Sequence, residues 1–300
     1  MAALTPNLRG ALLMMGSMTG FTLNDVCMKA LSDELPLFQA LFLRGLGTTL
    51  CLALLMRWQG RGLRLDLSPR DRGLIVLRSV AEVVAAFFFL TALFNMPIAN
   101  ATAILQAMPL SVTLAGALFL GEAFGWRRMA AILIGFCGVL LIVRPGAEGF
   151  NVYSLYALAA VAAVTVRDLA ARRMSAHVPS LVVALAASAL VTASFGIGSA
   201  FVEWGTLTAK NGAQLLGAMG FVFFGYIFSV AAMRSGEIGF VAPFRYTGLI
   251  VALVAGLAIF GEWPSTLTLL GSAIVVATGV FTLYRDRVAR PPKPLGLRVR

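Results

Sequence analysis

The chain has 300 residues, of which 59% are hydrophobic and 12% charged, and its net charge is +11. A soluble domain carries roughly 25% charged residues, so this chain has too few charges to cover a water-exposed surface. The composition excludes an ordinary soluble enzyme, a disordered chain and a disulfide scaffold, and it favours a helical membrane protein.

Apolar runs separated by proline- and glycine-rich breaks predict ten membrane-spanning helices. A span needs about 20 mostly apolar residues, so ten spans leave only about a third of the chain for connections and tails. In chain order the predicted spans are 10–31, 36–57, 73–94, 98–120, 127–144, 152–172, 179–202, 213–233, 238–260 and 266–284.

The distribution of lysine and arginine predicts the orientation of these spans. With the N-terminus in the cytoplasm, most of the basic residues between and after the spans are cytoplasmic, and Lys29, Arg144 and Lys210 lie on the other side. Positive charge is retained on the cytoplasmic side of a membrane. We therefore expect a multi-pass protein of the bacterial cytoplasmic (inner) membrane with both termini in the cytoplasm. On this interpretation the basic tail, 286–300, is an orientation signal, and nucleic acid is not a partner.

The two halves of the chain resemble each other at an offset of about 140 positions. The matched residues are Asp25 with Asp168, Lys29 with Arg172, Pro36 with Pro179, Ile98 with Ile238, Gly121 with Gly261, and Glu122 with Glu262. We predict two five-helix repeats, 1–146 and 147–285. Because five is odd, the second repeat enters the membrane from the opposite face, an arrangement found in secondary transporters with a site between the halves.

The chain resembles the drug/metabolite transporter superfamily in its ten-helix form with two EamA-type repeats. Two stretches carry the resemblance: 97–122, which ends in Leu120-Gly121-Glu122, and 238–262, which ends in Phe260-Gly261-Glu262. Among members it is most similar to bacterial amino-acid exporters of the YddG kind. The resemblance implies an all-α fold of two inverted repeats around a central cavity lined by helices 1, 3, 4, 6, 8 and 9, with alternating access and no ATP.

Ionisable residues at membrane depth are costly and usually face the protein interior. The residues of this kind are Asp25, Arg44, Arg78, Glu82, Arg167, Asp168 and Arg245. Any substrate site is expected to use some of them. Arg44 is expected to lie outside the cavity, because helix 2 is not among the helices that the resemblance implies.

Arg78 and Glu82 lie four residues apart on helix 3 and therefore share a face. They form either a self-neutralising pair or a site for a zwitterion, with Arg78 on its carboxylate and Glu82 on its ammonium. The other predicted cavity residues are polar groups on further helices: Asn24, Gln106, Tyr226, Arg245 and Tyr246. Arg245 needs either a substrate carboxylate or a partner from another helix.

Two further pairs occupy equivalent places in the halves, Asp25 with Lys29 and Asp168 with Arg172. Their i,i+4 spacing predicts ion pairs within one helix. They are interpreted either as caps on the ends of the cavity or as two gates that open alternately.

Motifs for other chemistry are absent from the sequence. No lysine follows a glycine, so there is no Walker A loop, and the single histidine, His177, precludes a histidine-based zinc motif. No catalytic residue, metal or cofactor is predicted. We expect a secondary transporter that exports amino acids, including aromatic and other neutral ones, or related small metabolites.

The alternative within the transporter class is an uptake or exchange carrier for another metabolite, such as a vitamin, a nucleoside derivative or a cationic drug. An intramembrane enzyme acting on lipids, or a channel, fits the sequence less well. Ten helices suffice to enclose a cavity in a monomer.

Overall fold

The computed structural model describes residues 5–59, 67–121, 125–146, 150–175, 177–235 and 238–289. This part of the chain is helical and contains no strand. We number the helices to follow the predicted spans. They are α1 Pro6–Lys29, α2 Leu37–Trp58, α3 Pro69–Asn95, α4 Ile98–Leu120, α5 Trp126–Val143, α6 Tyr153–Arg173, α7 Ser180–Ser199, α8 Ala209–Ser235, α9 238–260 and α10 Thr266–Ala289.

The helix ends follow local residue chemistry. Thr5 and Ser68 accept hydrogen bonds from backbone N–H groups at the first turns of α1 and α3, as expected of N-cap residues. α4 and α9 end at Gly121 and Gly261, with φ of 66° and 65°. Glycine adopts this left-handed conformation at little cost. The prediction that the two Gly-Glu motifs end these helices is confirmed at both glycines.

α4 and α9 are both interrupted near the middle. α4 consists of Ile98–Leu105 and Met108–Leu120, and α9 passes through a 3₁₀ turn at Ala242–Tyr246. Pro109 and Pro243 lie beside these interruptions, and proline has no N–H to donate to the preceding turn. The breaks occupy corresponding places in the two halves.

The main helix contacts join the first half of the chain to the second. α1 packs on α8, α3 on α6, α2 on α7 and α5 on α10, with α4 on both α6 and α9. The pairs α1–α8 and α6–α3 are equivalent under the predicted repeat. This arrangement agrees with two inverted repeats around a common centre; the division of the chain at residue 146 stays a prediction.

Two of these interfaces depend on backbone close approach. A Cβ at Gly20 of α1 would lie 2.9 Å from the Phe221 carbonyl oxygen of α8, and a Cβ at Gly138 of α5 would lie 2.9 Å from the Gly271 carbonyl oxygen of α10. Small residues allow membrane helices to pack this closely. Ser17 strengthens the first interface by donating a hydrogen bond of 2.7 Å to the Gly225 carbonyl oxygen.

Nine helices of the described part, α2 to α10, are long and apolar enough to cross a membrane. The composition of α1 is less apolar, and this helix does not meet that criterion. It has 24 residues, or about 36 Å at 1.5 Å per residue, and its polar residues Ser17, Thr22 and Asn24 are 0%, 5% and 4% exposed. These polar side chains of α1 therefore face the interior of the bundle.

Candidate functional site

A polar cavity of about 70 Å³ lies between α2, α3, α7 and α8. Its polar lining residues are Arg44, Thr48, Arg78, Glu82, Ser188 and Tyr226. The expectation that helices 1, 3, 4, 6, 8 and 9 line the cavity is wrong for this conformation, because α2 and α7 form two of its walls. α1 and α6 reach it only through side-chain contacts.

Glu82 is the central acid of the cavity. Its Oε2 lies 3.8 Å from Nη2 of Arg78 on the same helix, and its Oε1 lies 3.3 Å from Nη1 of Arg167 on α6. These side chains are 18–23% exposed. The predicted Arg78–Glu82 pair is present, and Arg167 joins it as a second cation that was not among the predicted site residues.

Arg78 is incompletely hydrogen-bonded. Its Nη1 atom is buried and has no hydrogen-bond partner among the described residues. The distance of 3.8 Å to Glu82 also exceeds the ordinary hydrogen-bond range of 2.7–3.2 Å. A buried donor without an acceptor costs about 1–3 kcal/mol, so an anionic group that reaches this guanidinium is stabilised.

Arg44 lines the cavity, which corrects the prediction that it lies outside. Its Nη1 donates a hydrogen bond of 3.3 Å to Oδ1 of Asn24, whose amide in turn donates to Oδ1 of Asp25 at 2.9 Å. Arg44 also interacts electrostatically with Asp25 and Glu82. Asn24 and Asp25 on α1 therefore hold one wall residue of the cavity rather than lining it themselves.

A second group of charges continues from the cavity towards α9. Nε of Arg167 lies 2.9 Å from Oδ1 of Asp168, and Arg245 is close enough to Asp168 to interact with it electrostatically. Asp168 is therefore an acid from another helix that acts on Arg245, and a substrate carboxylate as its direct partner stays a prediction. Arg245 does not line the cavity in this conformation.

Gln106 and Tyr246 lie at the breaks of α4 and α9 and are also absent from the cavity lining. The hydroxyl of Tyr246 is buried and has no hydrogen-bond partner in the described part of the chain. Its ring packs against Gly279 of α10, where a Cβ would collide with it. Tyr226 lines the cavity as predicted, with its ring packed edge-on against Phe21, the two centroids 5.4 Å apart.

The predicted Asp25–Lys29 ion pair does not form. Lys29 pairs instead with Glu262 at 3.0 Å, and Asp25 accepts a hydrogen bond from Asn24 and interacts electrostatically with Arg44. Asp168 pairs with its neighbour Arg167, and Arg172 is exposed near the end of α6. The spacing of four residues was therefore a poor guide to the partner of Lys29.

The first half of the chain matches a known family. Residues 8–144 match the EamA-like transporter family. A crystal structure that covers 94% of this chain and 99% of its own has a TM-score of 0.65 and is 20% identical in sequence. At that identity the likeness concerns the fold alone.

Three characterised relatives are transporters with different substrates. The S-adenosylmethionine uptake transporter of Rickettsia bellii is 27% identical over 92% of this chain and 94% of its own. The pseudopaline exporter of Pseudomonas aeruginosa is 28% identical over 89% and 93%. The riboflavin transporter of Vibrio cholerae is 28% identical over 73% and 74%.

Proposed function

We propose that the chain is a membrane transporter of the EamA-type drug/metabolite group and that its substrates carry an amino-acid carboxylate and ammonium. This class includes free amino acids and derivatives such as S-adenosylmethionine. Export of amino acids is the first form of the proposal, and uptake or exchange of an amino-acid derivative is the alternative. A carrier without a coupled energy source moves its substrate down the concentration gradient in either direction. The proposal therefore concerns the amino-acid headgroup of the substrate rather than the direction of transport.

The Arg78 guanidinium nitrogen that lacks a partner among the described residues, beside Glu82, is the observation that carries this proposal. A substrate carboxylate supplies the acceptor that Nη1 lacks, and arginine binds carboxylates through two parallel hydrogen bonds. Once Arg78 turns to the substrate, the remaining lone pairs of Glu82, which stays paired with Arg167, accept the ammonium. Arg167 donates to both oxygens of Glu82, at 3.3 and 3.4 Å, and holds that carboxylate in place.

The size of the cavity supports transport by alternating access. At about 70 Å³ it is several-fold smaller than the ~300–1,000 Å³ of sites that hold drug-sized ligands. We propose that this conformation is closed and that the helices separate to admit substrate. The equivalent breaks in α4 and α9 support this proposal, since discontinuous helices mark the substrate region of transporters with inverted repeats.

Transport into proteoliposomes tests the substrate class. We expect uptake of at least one of labelled methionine, phenylalanine and S-adenosylmethionine, and we expect unlabelled members of this set that bind to compete with it. Riboflavin, which has no amino-acid headgroup, should not be transported. Methionine methyl ester and N-acetylmethionine are the matched probes, because the ester lacks the carboxylate charge and the N-acetyl compound lacks the ammonium charge. Robust riboflavin transport without transport of any amino acid or derivative would contradict the proposal.

We also propose that the protein lies in the bacterial cytoplasmic membrane with both termini in the cytoplasm. The excess of arginine on one set of connections supports this orientation. A reporter that is active only in the cytoplasm, fused after Arg300, is expected to be active. The same reporter inserted between Ala200 and Thr208 is expected to be inactive.

A further inference from the structure

Lys29 lies at the end of α1 in a buried site with two hydrogen-bond acceptors and one ion-pair partner. Its side chain is only 9% exposed, and its ammonium lies 3.0 Å from Oε1 of Glu262. It also donates hydrogen bonds to the carbonyl oxygens of Met96, at 2.7 Å, and Leu93, at 3.3 Å. Two of the three donors of the ammonium therefore bind carbonyl oxygens, and the Glu262 carboxylate balances its charge.

Glu262 completes the contact from the other half of the chain. While Oε1 binds Lys29, its Oε2 accepts a hydrogen bond of 3.0 Å from the backbone N–H of Ile98. Pro97 precedes Ile98 and provides no side-chain cap for α4. The carboxylate that follows α9 thus caps the first turn of α4 and neutralises a buried cation of α1.

These contacts join segments from the two halves of the chain at one end of the bundle. α1, the end of α3 and the start of α4 belong to the first half, whereas Glu262 belongs to the second. All four chain segments meet at the face that the basic-residue distribution assigns to the outside. The contact between Lys29 and Glu262 breaks if α9 moves away from α1 and the start of α4 when the outside opens.

We propose that Lys29 and Glu262 form an outer latch, an ion pair that is made when the outer end of the transport path is closed and broken when it is open. The inference rests on the proposed alternating access and not on the identity of the substrate. In the open state both charges become hydrated, which offsets the loss of the pair. In the closed state they hold α9 to α1 and α4.

The repeat places Arg172 and Glu122 at the positions equivalent to Lys29 and Glu262. Arg172 is exposed near the end of α6, and Glu122 lies outside the described residues. The proposal of an outer latch rests on the contacts of Lys29 and Glu262 alone. Arg172, at the equivalent position of the other half, provides a variant for the opposite side of the membrane. Replacing Arg172 with methionine is expected to favour opening on the cytoplasmic side.

Side-specific labelling of the cavity tests the latch. In a background without Cys27, Cys51 and Cys137, Ser188→Cys places an isosteric thiol in the cavity wall. Lys29→Met and Glu262→Gln should each raise its labelling rate by an impermeant maleimide added outside by about tenfold, equivalent to 1.4 kcal/mol. The amide introduced by Glu262→Gln retains an oxygen to cap α4, so this variant removes the charge pair and spares the cap.

Matched variants separate a latch from a general loosening of the bundle. Lys29→Arg keeps the charge and should leave labelling near the starting rate. Lys210→Met removes the exposed ion pair with Glu34 on the same predicted face and should have no effect. In inside-out vesicles, Lys29→Met should slow labelling, and Arg172→Met should accelerate it.

Unchanged outside labelling in a folded Lys29→Met protein would overturn the latch, and so would an equal increase from both sides. If Ser188→Cys does not fold, Ala184→Cys provides a second position in the cavity wall. No substrate is needed for the measurement. A failure of the amino-acid proposal would therefore appear in the transport assay and leave the labelling result intact.

Discussion

The outer latch and the cavity are two of the charge groups inside the described part of the bundle, and their hydrogen bonds are satisfied to different degrees. In the outer latch, Lys29 has two hydrogen-bond acceptors and one ion-pair partner, and Glu262 uses both oxygens. In the cavity, Arg78 keeps one nitrogen without a partner among the described residues and lies 3.8 Å from Glu82. Fully paired charges hold helices together, whereas an under-paired charge leaves binding free energy for a ligand. The contrast separates the contact proposed to close the outer end from the site proposed to bind substrate.

The largest effect is expected from Arg78→Ala. Loss of a buried charged partner costs about 2–5 kcal/mol, so we expect substrate affinity to fall about 100-fold, measured by equilibrium binding in detergent. The thermal unfolding midpoint should change little, because one nitrogen of Arg78 makes no hydrogen bond within the described part of the chain. Arg78→Lys, which keeps the charge without the planar fork, should recover part of the affinity. Normal binding by Arg78→Ala would refute the carboxylate assignment.

A smaller effect is expected from Glu262→Ala, and it concerns stability rather than substrate affinity. This change leaves Lys29 and the Ile98 N–H without their acceptor, and we expect a loss of about 2 kcal/mol in stability. Thermal or denaturant unfolding in detergent measures it, with substrate affinity retained within a few-fold. Glu34→Ala is the control, because its pair with Lys210 is exposed and such pairs contribute about 0–1 kcal/mol. Equal losses in both variants would remove the distinction between the two sites.

The smallest effect is expected from Tyr246→Phe. The Tyr246 hydroxyl is buried without a partner in the described part of the chain, so its removal should be neutral or stabilise the protein by up to about 1 kcal/mol. Transport should be unchanged, whereas Tyr226→Phe in the cavity wall should reduce it. Loss of transport in Tyr246→Phe alone would show that this hydroxyl reaches the substrate in another conformation.

The spans were predictable because hydropathy and breakers are local signals. The interruption of α4 was not predicted, although Pro109 within an apolar run was an available signal. The partner of Lys29 could not be found from spacing, since Asp25 is the near acid in sequence but Glu262 is the near acid in space. A tertiary contact thus replaced the expected i,i+4 pair.

The cavity residues were predictable only in part. Arg78, Glu82 and Tyr226 were identified because they are polar groups at membrane depth. Arg44 was misplaced, because the helices implied by the family resemblance excluded α2. Arg167 was noted as ionisable but not assigned to the site; its position beside Asp168 at membrane depth was the signal that could have placed it there.

The pairing of helices across the two halves has a consequence for biosynthesis. The partners of α1 and α3 are α8 and α6, which leave the ribosome much later. At about 5–20 residues per second, the second half of the chain takes on the order of 10–30 s to be translated. During that interval Glu82 lacks Arg167, and Lys29 lacks Glu262. We expect the membrane insertion machinery to shelter the nascent first half until the second half arrives.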